Sequence, residues 1–460
     1  VDKPVGILKK TKENQEINEI VEKLKTTNAS FNEITKTENG GLFLKELIKE
    51  TMSGKHKFGK DNIACADYYI QVSKESFEIK KIINIENDTA KVDEFARFLL
   101  SLIPNEKRQD QQLLINRNDF LFERKENGDL QPLQVELNTI SASFAHLSER
   151  ITTFHQQLQQ ENILKVAPLS HDAIAGFAVG IKETIEELGW QDAALLMLVQ
   201  PKERNWFDQM GLFAALSQRG VKVVRATLAE VHDRGKLTNG DLWVGPQRIG
   251  VVYFRAGYSP GDLPDEESRS ARRMMEASSA VLVPEASMQL AGTKKIQQIL
   301  VGSGVLSQFV PESVGEQLKA YFAMMFGLEE EVEGRTAREF LAENAEQYVL
   351  KPQREGGGNN VYGAEIRDFL TSLPTSEDRA WIAMKRIEAE TTESLLVVQE
   401  QAQYHQCISE LGIFGLLRAQ SGDLRINMPV GHLVRTKASN VNEGGVVAGY
   451  ACLNSLISTD

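Results

Sequence analysis

The sequence predicts a mixed α/β protein containing a doubly wound parallel sheet, and three observations predict it. Residues 193–199 form a continuous apolar run of strand length, as a strand buried on both faces requires. Residues 207–218 have helical spacing, Gly220 stops them, and the apolar stretch 221–224 follows as a second strand. Residues 249–254 read as a third strand, so 191–285 has the β-α-β rhythm of a parallel sheet.

The remaining elements follow in chain order. The first hundred residues are rich in Lys, Asn, Thr and Ile, and 17–24 and 42–52 carry the i, i+3/i+4 apolar spacing of amphipathic helices. Lys55, Lys57 and Lys60 form a short basic run that reads as a solvated loop. Leu113, Leu114 and Ile115 read as a short buried strand, and 133–138 alternates after a turn at Asn127-Gly128, which is a hairpin signal. A helix is expected over 171–188. Further strands are expected at 348–350, 381–384, 395–398 and 431–437, with glycine pairs or runs at 356–358 and 444–445. The chain has no internal repeat and no low-complexity tract.

Composition narrows the function classes. The 460 residues are 42% hydrophobic and 25% charged, an ordinary globular balance for two to four domains. A formal charge of −12 argues against nucleic acid as the main partner, and no apolar run reaches the length of a membrane span. Cys65, Cys407 and Cys452 are too few for a disulfide framework, so a reducing compartment is the default. Residues 1–20 hold no apolar leader core. A cytoplasmic location is therefore expected, with secretion after removal of a leader absent from this chain as the alternative.

Several residues are suited to chemistry. Glu136 and Asn138 are two apart on a strand and so project together, as a hard-oxygen pair suited to Mg²⁺. Glu355 precedes Gly356, Gly357, Gly358, Asn359 and Asn360, a loop whose backbone N–H groups can approach phosphate closely. It is neither a Walker A loop nor a G-x-G-x-x-G turn. Lys351 is a candidate phosphate partner beside it. Lys294 and Lys295 are adjacent, and Arg435 and Lys437 share a strand face; either pair alone also suits a solvated basic edge. Arg117, Arg255 and Tyr258 fall at or beyond predicted strand ends, where an arginine can clamp a carboxylate. His405 and His432 read as packing or surface groups, and no zinc spacing occurs. Together the set fits a nucleotide-dependent ligase.

Longer blocks carry a family resemblance. Gln134-Val135-Glu136-Leu137-Asn138-Thr139-Ile140-Ser141-Ala142-Ser143-Phe144 resembles the signature of the eukaryotic-type glutathione synthetases. So do Lys202-Glu203-Arg204-Asn205, Val252-Tyr253-Phe254-Arg255 with Gly257-Tyr258, and Gln289-Leu290-Ala291-Gly292-Thr293-Lys294-Lys295. The segments 350–360, 407–415 and 431–437 with Gly444-Gly445 complete a match running from about 111 to 455.

The resemblance implies an ATP-grasp fold with an inserted doubly wound substrate domain, a glycine-rich lid and an N-terminal helical region. The implied divisions are 1–105 (helical region), 106–190 and 286–460 (main body and lid), and 191–285 (substrate domain). It implies a homodimeric ligase that joins γ-glutamylcysteine to glycine, or another small amine, through an acyl phosphate, using ATP and Mg²⁺. Glu136, Asn138 and Glu355 would hold metal. Lys294, Lys351, Gly356, Gly357, Gly358, Asn359, Asn360, Tyr362, Met384, Ile387, Glu410 and Lys437 would bind ATP. Arg117, Ser141, Ser143, Glu203, Asn205, Gln209, Arg255 and Tyr258 would bind γ-glutamylcysteine. Arg435 would act at the reacting carboxylate, and Val446 and Val447 would face the acceptor under a lid at 438–449. Three positions depart from the family pattern: Lys385 replaces an acidic residue, Ala145-His146 replaces two glycines, and Val447 replaces alanine. Two alternatives stay open on these departures, namely a ligase with another donor or acceptor, and a secreted paralogue with weak or no family activity.

Overall fold

The computed structural model describes residues 33–34, 93–103, 110–164, 166–190, 192–302, 304–352, 359–398, 401–421, 423–442, 444–446 and 449–457. The helices expected at 17–24 and 42–52, the Lys55–Lys60 run and Cys65 lie outside these residues. No helix among the described residues is long and apolar enough to cross a membrane.

Three main sheets organise the chain. The largest is antiparallel and has seven strands. Its spine is Gln401–Gln420, which pairs with Thr392–Val398 along its first part and with Asp423–Ala438 and Gln111–Arg124 beyond. Leu130–Asn138 and Cys452–Asn454 flank these, and Glu33–Ile34 adds to one edge. The strand expected at 113–115 thus extends to 14 residues. The hairpin turn falls where Asn127-Gly128 placed it, with Gly128 at φ +87°, a conformation that favours glycine.

The second sheet contains the parallel strands in the order Val223–Ala226, Ala194–Leu198, Gln247–Phe254, Val281–Val283. A short antiparallel extension, Asp241–Val244 and Gly235–Thr238, continues from it. Ala194, Leu196 and Leu198 face one hydrophobic core, and Leu195 and Met197 face another. Burial on both faces explains why this strand is a continuous apolar run. The third sheet orders Met325–Gly327, Trp381–Lys385, Tyr348–Pro352 and Val361–Tyr362, all antiparallel.

Helix Ala173–Glu187 lies against the large sheet at close range. A Cβ added at Gly176 or Gly180 would come within 2.8 Å of Val430 or Leu416. These glycines, four apart, therefore share the helix face on which the sheet side chains seat.

Candidate active site

A cavity of about 230 Å³ opens between the large antiparallel sheet and the third sheet. Lys294, Lys351, Asn360, Tyr362, Met384, Ile387, Glu410 and Lys437 line it, with Glu136 and Arg435. Residues that the resemblance assigned to one ligand thus converge from distant segments on one space. Asn359 is exposed and is not part of these walls. Glu355, Gly356, Gly357, Gly358 and Val447 lie outside the described residues.

A local irregularity aims the carboxylate. Simple alternation sends Val135 and Leu137 to a core and Glu136 to the opposite face. In the structure Asp119 pairs with Glu136 but Phe120 pairs with Gln134, so Val135 is the extra residue of a bulge. Val135 and Glu136 both line the cavity, while Leu137 alone is buried in the core. Arg435 and Lys437 do share a face, and both reach the cavity.

Lys294 and Lys295 are buried, so the solvated-edge alternative for this pair does not hold. Lys294 is 6% and Lys295 4% exposed. They open helix Lys294–Val301, where the helix dipole disfavours cations. Glu136 lies 3.4 Å from Lys294, and Glu329 lies 2.5 Å from Lys295. Lys351 donates to the Val135 carbonyl at 3.1 Å, and Lys437 donates to the Asn442 carbonyl at 2.5 Å. Burial would raise the pKa of Glu136, but Lys294, Lys351, Arg435 and Arg117 outweigh it and lower it to about 2. A carboxylate kept ionised among cations, beside an apolar wall of Val349 and Met384, suits a polyphosphate with an apolar base.

The residues present also suit a hard divalent cation. Glu136 supplies an ionised carboxylate. Asn138 turns its amide NH₂ to Asp119 (2.9 Å) and to the Arg117 carbonyl (3.2 Å), which directs its oxygen away from them. No group of three or more His, Cys, Asp or Glu able to hold a metal occurs among the described residues. Carboxylate and amide oxygens are hard donors, the kind that Mg²⁺ prefers.

Asp119, which the sequence reading passed over, is the hub of the site. It is fully buried and receives Arg117 Nε at 2.6 Å, Arg117 Nη2 at 2.8 Å, Asn138 at 2.9 Å and Arg435 at 3.1 Å. Arg435 also pairs with Glu410. Burial opposes the charge on Arg435, but Glu410 and Asp119 outweigh it and raise its affinity for the proton. Burial raises Glu410, with Arg435 partly offsetting it. Gly412 sits opposite Asp119 on the neighbouring strand, and a Cβ there would come within 2.7 Å of the carboxylate. Arg117 lies in the middle of its strand, contrary to the strand-end placement expected from the sequence.

From Arg117 the network continues to the parallel sheet. Arg117 Nη1 donates to the Ser143 carbonyl at 3.0 Å. Arg255 Nη2 donates to Ser143 Oγ at 2.7 Å and Nη1 to the Ala142 carbonyl at 3.0 Å. Ser141 Oγ donates to the Phe254 carbonyl at 3.2 Å. Glu203 is electrostatically coupled to Arg255 and to Tyr258, and its carboxylate accepts from the Asn205 amide at 2.7 Å. Gln209 is 3% exposed on the first turns of helix Trp206–Gln218. The residues expected at the peptide site thus gather at the carboxyl end of the parallel strands, the usual ligand edge of such a sheet.

The loop between the two regions is held by a second residue that the sequence reading missed. Ser141 and Phe144 both adopt positive φ, at 52° and 75°. Asp208 accepts from the backbone N–H groups of Phe144 (2.8 Å), His146 (2.9 Å) and Leu147 (3.2 Å). It therefore caps helix Ala145–Gln160, whose own N-cap residue, Phe144, offers no side-chain bond. His146 is accommodated above Gly211, where a Cβ would come within 2.1 Å of the ring. Lys385 is exposed on the cavity wall, while its backbone N–H donates to the Met324 carbonyl at 2.8 Å. Val446 packs against the core beneath the large sheet.

Comparison with known proteins agrees with this geometry. Residues 62–457 match the model for the eukaryotic glutathione synthase ATP-binding domain. The chain is 42% identical to glutathione synthetase of Mus musculus over 74% of this chain and 73% of that protein. It is 35% identical to that of Xenopus laevis, covering 85% and 84%. It is 38% identical to the chloroplastic enzyme of Solanum lycopersicum, covering 80% and 69%. A glutathione synthetase-like effector from Globodera pallida, solved in its apo form, shares the fold at a TM-score of 0.67 and 18% identity, covering 86% of this chain and 85% of that one. By this family match and these relatives, the chain belongs to the eukaryotic glutathione synthetase family, ATP-binding ligases of glutathione biosynthesis.

Proposed function

We propose that this chain is an ATP-grasp ligase that joins γ-glutamylcysteine to glycine by way of an acyl phosphate. The observation that carries the proposal is the unbroken network Glu410–Arg435–Asp119–Arg117–Ser143–Arg255, which connects the lysine-lined cavity to the serine and arginine cluster. ATP occupies the space between the two antiparallel sheets, with its phosphates against Lys294, Lys351 and Lys437. The dipeptide lies along Arg255, Ser143 and Gln209, with its cysteinyl carboxylate toward Arg117 and Arg435.

A carboxylate is a poor acyl donor, so it is first phosphorylated by ATP and then attacked by the amine of glycine. The chain's part is to neutralise charge and to orient, since phosphoryl transfer needs little acid–base help. Glu136, Asn138 and Glu355 would hold Mg²⁺, which when bound supplies charge neutralisation at the phosphates. Arg435, fixed by two carboxylates, presents a fixed cation to the oxygen that gains charge during amine attack. The segment 438–449, with Gly444 and Gly445 in the cavity wall, would exclude water from the acyl phosphate.

The test is ADP release from ATP, γ-glutamylcysteine and glycine, which should require all three. Turnover without the dipeptide, or none with all three, contradicts the proposal. Glu355→Ala should abolish turnover, and full retained activity would remove Glu355 from the metal site. Screening β-alanine and serine beside glycine tests the acceptor, and a preference for either would replace glycine. A homodimer in a reducing cytoplasm is part of the same proposal, checked by sedimentation equilibrium and by localisation of the full-length product.

A further inference from the structure

We propose that Arg225 is a specificity-determining residue for the free α-carboxylate of the donor peptide's γ-glutamyl head. This inference rests on the reading of the Arg255–Gln209 cluster as the donor-peptide site. Arg225 lies in strand Val223–Ala226, next to Ala194–Leu198 in the parallel sheet and so on the same ligand edge as Arg255. Its Nη2 donates to Gln209 Oε1 at 2.7 Å, and its guanidinium lies 4.0 Å from the centre of the Trp206 ring. Both contacts fix the guanidinium plane.

The unsatisfied donors carry the argument. Arg225 Nε and Gln209 Nε2 are both buried and have no hydrogen-bond partner among the described residues. A buried donor left unpaired is costly, so two on side chains bonded to each other signal an acceptor-rich ligand. By taking the Gln209 oxygen, Arg225 leaves the Gln209 amide NH₂ as the group available to that ligand. Glu203 supplies the opposite charge to both Arg225 and Arg255. Asp208, 3.8 Å from Arg255, is already taken by backbone N–H groups, so the free Arg225 and Gln209 donors opposite Glu203 form a receptor for a zwitterionic amino-acid head, carboxylate to the donors and ammonium to Glu203.

The experiment compares two donors, γ-glutamylcysteine and 4-aminobutyrylcysteine, which lacks the α-carboxylate. In Arg225→Met the KM for γ-glutamylcysteine should rise at least about tenfold, with the KM values for ATP and glycine unchanged within about twofold. With 4-aminobutyrylcysteine the wild-type enzyme should already be impaired, and Arg225→Met should add no further loss. Arg225→Lys should not restore affinity, because a point charge replaces neither the fork nor the stack. An equal loss on both donors would make Arg225 merely structural and overturn the inference, as would full rescue by lysine. If Arg225→Met does not fold, Arg225→Lys and Trp206→Leu, at a position 43% exposed, carry the same two-donor comparison. A wild-type enzyme without dipeptide-dependent ADP release would instead overturn the underlying site reading.

Discussion

Replacing Asp119 with asparagine removes one charge and nearly no volume, yet it should disable the site. The carboxylate is fully buried and takes four hydrogen bonds from Arg117, Asn138 and Arg435. In Asp119→Asn one acceptor oxygen remains, but the charge that Arg117 and Arg435 share is lost, and the new NH₂ is a donor set among the donors that the lost oxygen received. Arg117 is 4% exposed, so water does not replace the lost partner. Breaking a buried ion pair from one side costs about 3–5 kcal/mol, and urea denaturation should show a loss of that order. The catalytic loss is separate. Arg435 is released on one side, and misplacement by about 1 Å costs on the order of 10²-fold. Steady-state ADP release at saturating ATP should therefore show kcat/KM for γ-glutamylcysteine falling about 10²-fold at temperatures where the variant remains folded. A variant within about twofold of wild type in kcat/KM and within about 1 kcal/mol in stability would show that the hub neither orients the arginines nor supports the fold.

The remaining predictions concern the helix that follows the serine loop and its neighbours. Burial, partly offset by the hydrogen bond from the Ile174 N–H, raises Glu149 to about 7, so the folded state holds its proton where the unfolded chain releases it near 4.5. This contribution is complete below the unfolded value and is lost as pH rises through 7. Glu149→Gln should therefore gain about 1–2 kcal/mol on wild type between pH 5 and 8, the figure being reduced for partial solvent screening, and a pH-independent difference in urea melts would contradict it. Gly211→Ala should destabilise by about 1–3 kcal/mol because its methyl meets the His146 ring, and His146→Ala should rescue it in a double-mutant cycle. Additive effects in that cycle would mean the two side chains do not share the space.

Much of the site was legible because its chemistry is concentrated in short blocks. Glu136, Lys294, Lys351, Arg435 and Lys437 stand out by residue type and order, Glu410 only through the family resemblance, and all line one cavity. The i, i+2 rule correctly put Arg435 and Lys437 on one face, because a regular strand has a fixed period. The same rule failed at Val135, because a bulge depends on the pairing partner and not on the strand's own sequence. The solvated-edge alternative for Lys294 and Lys295 does not hold, because their counter-charges, Glu136 and Glu329, are far away in the chain.

What the sequence by itself determined is the local and the compositional: the apolar run of a doubly buried strand, the Asn127-Gly128 turn, and a donor set of oxygens and cations. Periodicity and turn chemistry act over a few residues, so they can be read there. Only the tertiary structure decided that Asp119 joins Arg117 to Arg435, that Asp208 caps a helix distant in sequence, and that Gly412 and Gly211 leave room for an ion pair and a ring. Those contacts join residues brought together by sheet register and helix packing, and a buried charge takes its meaning from whichever partner arrives beside it.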